Sequence, residues 1–147
     1  MRVFFDTNIV LRLENRSDAL HGMVAEATQN LVTRGDQPCV APQVLIEFWA
    51  VATRPVNARG FGWTTKRTEL EFEKLLTQFE VLESTVAVFS RWRQLVVEYG
   101  VSGKQVHDTH IAAAIIEHSV THLLTLNPDD FKRFRDIEVI HPSELQA

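Results

Sequence analysis

Cysteine is nearly absent from this 147-residue chain. Cys39 is the only one, so no internal disulfide can form and a reducing compartment suits it. Its apolar neighbours favour a small buried side chain over a reactive thiol. No apolar run approaches the ~18–20 residues of a membrane-spanning helix. The N-terminus reaches Asp6 with no basic-then-apolar leader, so the expectation is a cytoplasmic protein with no signal peptide and no membrane partner. An excess of positive charge is missing as well: the formal net charge is −4. That disfavours a non-specific nucleic-acid binder, but it leaves open a site whose acidic residues bind a cation in use. Repeats, low-complexity tracts and linkers are absent.

What is there is ordinary globular material. Hydrophobic residues make up 45% and charged residues 23%, and the length suits a single domain spanning 1–147. Val3-Phe4-Phe5 reads as a short buried strand. It runs into Asp6, the only charged residue between Arg2 and Arg12. A carboxylate in such surroundings is paired, neutralised or bound to a metal.

Asn8 is placed to cap a short helix carrying Ile9, Val10 and Leu13, and Asn15–Asp18 reads as a break ending in a second N-cap. Leu20, Met23, Val24, Ala27 and Leu31 follow at helical spacing up to Gly35. Pro38–Ala41 is a weaker strand candidate. The helix over about 43–53, with Pro42 in its first turn, is apolar nearly all round and should be largely buried. Within it Glu47 is the only acidic or basic side chain between Asp36 and Arg54.

Residues 54–63 form a loop by their Pro and Gly content. Thr64 or Thr65 then caps a helix with Phe72, Leu75, Leu76 and Phe79 inward. Val81-Leu82 is a short strand. Ser84 or Thr85 opens a helix with Phe89, Trp92, Val96 and Tyr99 on one face. After a break at 100–103, the helix over about 105–118 carries Asp108 on the side of Ile111, Ala112 and Ile115. A strand over 122–126 ends at Asn127-Pro128-Asp129-Asp130, a helix start with Asn127 as cap, and 137–140 is the last strand. Strands and helices alternate throughout, which implies an α/β domain with a mainly parallel sheet covered on both faces.

Asp6, Glu47, Asp108 and the Asn127–Asp130 stretch all follow strands, and in such sheets sites form beyond the carboxyl ends of the strands. Four carboxyl positions can thus meet in one pocket, where their repulsion calls for a divalent cation; hard oxygen ligands point to Mg²⁺ or Mn²⁺. Each residue also has a plainer reading. Asp6 reads as a turn residue, Glu47 as an ion-pair partner of Arg54, Asp108 as a complement to the helix dipole, and Asn127 and Asp130 as caps. Thr7 and Thr125 read as strand-end hydroxyls bonded to backbone. Their joint placement favours a site.

The motifs Phe5-Asp6-Thr7-Asn8, Val44-Leu45-Ile46-Glu47-Phe48, His107-Asp108-Thr109-His110-Ile111-Ala112 and Thr125-Leu126-Asn127-Pro128-Asp129-Asp130-Phe131 resemble the PIN-domain ribonucleases in order and spacing. The resemblance covers essentially the whole chain, and the short length is similar to the toxin subunit of a VapBC-type toxin–antitoxin pair. It implies a three-layer α/β/α fold, a Mg²⁺- or Mn²⁺-dependent endoribonuclease acting on RNA, inhibition by a cognate antitoxin, and a homodimer. Asp6, Glu47 and Asp108 match the family's three principal acids, and Asp130 matches the fourth, with Asn127 at a polar position of the same motif. Thr7, Asn8 and Thr125 match supporting positions. The adjacent Asp129 leaves two carboxylates competing for the last place. Candidate strand contacts are Arg54, Arg59, Lys104 and the Lys132-Arg133-Arg135 cluster.

Three other readings compete. A haloacid-dehalogenase-like phosphatase also begins with an Asp after its first strand, but it wants a second Asp where this chain has Asn8. A non-catalytic α/β binding module needs no turnover at all. A His/Asp phosphohydrolase, suggested by His107-Asp108 and His110, expects an all-helical fold.

Overall fold

The computed structural model describes residues 1–147. In chain order the elements are β1 (Arg2–Phe5), α1 (Thr7–Glu14), α2 (His21–Thr33), β2 (Gln37–Val40), α3 (Pro42–Thr53), α4 (Thr65–Gln78), β3 (Glu80–Val81), α5 (Val86–Tyr99), α6 (Gln105–Glu117), β4 (His122–Leu124) and β5 (Glu138–Ile140). Short 3₁₀ turns lie at Val56–Ala58, Pro128–Phe131 and Pro142–Leu145.

The five strands form one sheet in the order β3-β2-β1-β4-β5, and every pairing is parallel. Parallel sheets need cover on both faces, and the helices provide it in a three-layer α/β/α arrangement. On the helical side α1 meets α2 and α3, α3 meets α4, and α5 lies along α6. Central β1 is apolar on both faces: Val3, Phe4 and Phe5 are all fully buried. Each such side chain contributes about 1.5–3 kcal/mol through burial. Phe4 pairs in register with Cys39 on one side and Leu123 on the other. Cys39 is fully buried, and burial pushes its thiol up to about 12.

The chain first builds outward from β1 through β2 to β3, then returns to lay β4 on the opposite side of β1. That reversal of strand order opens a crevice at the carboxyl ends of β1 and β4, where binding sites of open α/β sheets sit.

Several local expectations differ from the structure. Helix α3 is not largely buried: Ile46 is 68% exposed and Ala50 is exposed, because only the Val44, Leu45, Phe48 and Ala52 stripe faces the core. Likewise Leu76 on α4 and Phe89 on α5 face solvent, while Leu75, Val88 and Leu95 take the inward positions. Asp18 does not cap α2. Its carboxylate accepts from Leu20 N (2.8 Å) in the preceding turn, and the helix starts without a side-chain cap. Of the paired cap candidates, Thr64 accepts from Arg67 N (3.1 Å) and Thr85 from Val88 N (3.2 Å). No helix is long and apolar enough to cross a membrane.

Candidate metal and active site

Strand β1 passes directly into α1, and Asp6 sits at the junction. Its backbone is extended (φ −69°, ψ 158°) and its Oδ1 accepts from Thr7 N at 2.8 Å, so Asp6, not Asn8, is the N-cap. Its Oδ2 accepts from Thr125 Oγ1 at 2.7 Å and from Asn8 Nδ2 at 3.3 Å. The Asn8 amide has a different task from capping. Its Oδ1 accepts from Leu126 N (3.2 Å), which ties the end of β1 to the end of β4. Thr125 is fully buried behind Asp6, and its hydroxyl also accepts from Asn127 N at 3.1 Å.

Glu47 reaches the same place from the side of α3. Thr7 Oγ1 donates to its Oε2 (2.7 Å), and Gln43 Nε2 donates to its Oε1 (3.0 Å). No ion pair with Arg54 forms, because both carboxylate oxygens face these donors instead. Gln43 is itself held: its amide nitrogen donates to His107 O (3.1 Å) and its oxygen meets His110 Nδ1 at 2.6 Å. An amide oxygen only accepts, so Nδ1 of His110 carries a proton. Burial, followed by the charge of His107, lowers the pKa of His110 and keeps the ring neutral.

Asp108 lies half-buried in the first turn of α6. Burial raises its pKa first, and Asp130 and Glu47 raise it further, against smaller opposing effects of His107 and Arg133. Asp6 is 7% exposed and its carboxyl is pushed up to about 6. Burial is the main cause; hydrogen bonds from Thr125 and Thr7 oppose it, while Asp108 and Glu47 add to it. These carboxylates sense one another, as like charges in one pocket must.

The Pro128–Phe131 turn brings the last acid. Phe131 is buried and anchors the turn, which leaves Asp130 facing the pocket. Asp129 instead pairs with Lys132 at 2.5 Å and lies outside the pocket. Asn127 precedes the turn but makes no side-chain cap bond; it lines the pocket.

The result is a pocket of about 400 Å³ lined by Asp6, Thr7, Asn8, Glu47, Asp108, Asn127 and Asp130, with Leu11, Ala50, Val51 and Arg54 completing the wall. Every predicted site residue is in this lining except Thr125, which supports Asp6 from behind. A larger cleft of about 1140 Å³ opens elsewhere, between α1 and α4, but it lacks this convergence of acids. Gln43 escaped the sequence reading. Its only signal was its place four residues before Glu47, on the same helical face.

The donor set is all oxygen, which suits a hard divalent cation. As the side chains stand, no three acidic or imidazole groups close around a common point tightly enough to hold an ion unaided. Mg²⁺ usually takes one or two carboxylates and completes its shell with waters and substrate phosphates, so an open acidic wall fits it better than a closed cage would.

A family model described as the PIN domain matches residues 3–137. Solved structures with similar folds include a chain of VapBC2 from Rickettsia felis bound to a promoter DNA fragment, at 17% identity and TM-score 0.69, covering 96% of this chain and 98% of that one. A chain of VapBC-1 from nontypeable Haemophilus influenzae is 21% identical with TM-score 0.69, covering 97% and 99%. VapC20 from Mycobacterium tuberculosis, described as a sarcin–ricin loop cleaving toxin, is 18% identical with TM-score 0.60, covering 82% and 86%. Comparison with curated proteins yields no match.

Proposed function

The chain belongs to the PIN domain family, and from that premise we propose that it is a divalent-cation-dependent endoribonuclease, the toxin of a VapBC-type pair. The observation that carries this reading is the meeting of Asp6, Glu47, Asp108 and Asp130, from four distant segments, in one pocket. The similar folds of VapBC complexes and of an RNA-cleaving VapC support it.

Asp6 and Asp108 would be the direct ligands of Mg²⁺, or Mn²⁺ in its place, with Glu47 and Asp130 holding a second ion or ordered water. A cation bound there supplies positive charge against the phosphodiester and acidifies a water nucleophile. The chain does the positioning. Thr7 and Gln43 fix both oxygens of Glu47, and Thr125, Thr7 N and Asn8 fix those of Asp6. Pre-set donors of this kind keep ligand carboxylates oriented without reorganisation during reaction. Arg54 stands on the pocket wall, where a guanidinium can take a phosphate oxygen. The phosphatase alternative lacks its second acid: position 8 holds an amide, Asn8, whose oxygen accepts from Leu126 N and joins β1 to β4.

The first expected outcome is cleavage of RNA by purified protein in Mg²⁺ or Mn²⁺, abolished by EDTA. Asp6→Asn and Asp108→Asn should each lower the rate at least 100-fold; two variants that cut like wild type would show the site to be elsewhere. A cognate antitoxin, a homodimer and a cytoplasmic location complete the proposal. Co-expression with the product of the adjacent small open reading frame should relieve growth arrest, and light scattering should give twice the chain mass.

A further inference from the structure

The acidic pocket is one end of a longer trench. Leu11, Val51 and Arg54 line both the pocket and an adjoining hollow of about 370 Å³ that also carries Arg12 and Arg59. That hollow shares Asn15, Gly60 and Phe61 with the cleft of about 1140 Å³, where Arg16, Trp63 and Arg67 stand. The three hollows therefore adjoin in series through shared walls, from the carboxylates to the gap between α1 and α4.

Charge along this trench runs against that of the molecule. Arg12, Arg16, Arg54, Arg59, Arg67 and Lys74 line its outer two hollows, against Glu14, Asp18 and Glu71, on a chain whose net charge is −4. Asp18 faces Arg12 at 3.7 Å and Glu71 faces Lys74 at 3.5 Å. That leaves four guanidiniums without a carboxylate partner, Arg16, Arg54, Arg59 and Arg67, against Glu14 alone. Off the trench Arg2, Arg34, Arg91 and Lys132 are paired with an acid, while Lys66, Arg93, Lys104, Arg133 and Arg135 are not, so what sets the trench apart is that its free guanidiniums share one groove.

Two of the free arginines are held in place, Arg59 by its backbone and Arg67 by an aromatic ring. Arg59 sits at φ 64°, in the left-handed region that a bulky residue seldom occupies. The loop enforces this through Gly60 N to Pro55 O (3.0 Å), Gly62 N to Arg54 O (2.9 Å) and Trp63 N to Ala52 O (2.9 Å). Farther along, the exposed guanidinium of Arg67 lies 4.3 Å over the Trp63 ring, a planar platform. Unpaired guanidiniums and a stacking surface, spaced along a groove that ends at an acidic pocket, are the complement of a single strand with its bases unpaired.

We propose that single-stranded RNA lies along this trench, its phosphates on Arg54, Arg59 and Arg16 and a base stacked at Arg67–Trp63, feeding the scissile bond to the acidic pocket. The assignment rests on the ribonuclease reading, but it is tested without catalysis. A fluorescein-labelled single-stranded oligoribonucleotide is titrated in EDTA by anisotropy, over a range of salt. Arg54→Ala/Arg59→Ala and Arg16→Ala/Arg67→Ala should each weaken binding about tenfold or more; the first should reduce the salt slope by roughly 1.4, the value for two phosphate contacts on a single strand, and the second by roughly 0.7, because Arg67 holds a base and not a phosphate. Arg93→Ala, an unpaired cation on α5 outside the trench, should bind like wild type. Unchanged affinity and slope in both double variants would overturn the proposal. So would double variants that keep RNA but lose the co-expressed product of the adjacent small open reading frame, since the trench would then belong to a protein. Arginine-dependent RNA binding without cleavage in Mg²⁺ would sustain the trench and remove the ribonuclease reading, so the two fail separately.

Discussion

At the carboxyl of Asp6, burial and the neighbouring Asp108 and Glu47 favour the protonated form, while Thr125 and Thr7 favour the ionised one. The outcome is a pKa of about 6 against an ordinary 3.8, so the folded protein binds this proton more tightly than the unfolded chain does. Stability from this group is complete below pH 4 and is lost as pH rises through 6, by about 3 kcal/mol in cation-free buffer. Asp6→Asn keeps a capping side chain but removes the charge. It should therefore melt roughly 5–10 °C above wild type at pH 7.5 without cation, with the gap narrowing below pH 6 and closing below about pH 4. Thermal melts across pH test this, and a gap that ignores pH would show the charge not to be its cause. The same proton competes with the cation for Asp6, so the Mg²⁺ concentration needed for half-maximal cleavage should rise as pH falls. At Gln43 the expectation is different: Gln43→Ala frees one oxygen of Glu47 and should cut the cleavage rate about 10–100-fold with little change in melting temperature. Single residues were unequally legible. Asp6, Glu47 and Asp108 declared themselves as lone charges in apolar or helical settings. Gln43 and the second duty of Asn8 did not, because an uncharged amide carries no sign of the partner it will find after folding.

Among the elements, the loop between α3 and α4 is the most tightly specified. A Cβ on Gly60 would fall 2.0 Å from Arg54 O, closer than any rearrangement of a side chain can relieve. Gly60→Ala must therefore shift the backbone that presents Arg54 and Arg59. It should cost about 1–3 kcal/mol, visible as a drop of several degrees in melting temperature, together with a raised KM for RNA. All six helices and five strands were readable from periodicity and turn chemistry. Their ends were less so: β4 stops at Leu124 and β5 starts at Glu138, one or two residues inside the expected spans. Caps were the weakest part, since Asp6, Asn8 and Asp18 are all competent capping residues and only tertiary partners decide among them. The exposure of Ile46 and Phe89 was equally hidden, because helical spacing identifies a stripe but not which neighbouring residue sits at its edge.

For the whole molecule, the alternation of strands and helices implied a parallel sheet, yet it did not order the strands. That order depends on which face each crossover returns to, and no local pattern encodes it. The order has a consequence in time. Strand β1 is made first, but its neighbour β4 and the Leu126 amide that Asn8 holds come 118 residues later. At 5–20 residues per second, the first half of the acidic wall waits about 6–24 s for the second during synthesis. Asp108 and Asp130 arrive last, so the acidic pocket is incomplete in a nascent chain until its final strands emerge. A ribosome-bound chain arrested before residue 122 should neither protect β1 from proteolysis nor cleave RNA. If the chain is the nuclease proposed, the fold thus delays the birth of its activity until the last two strands have been made.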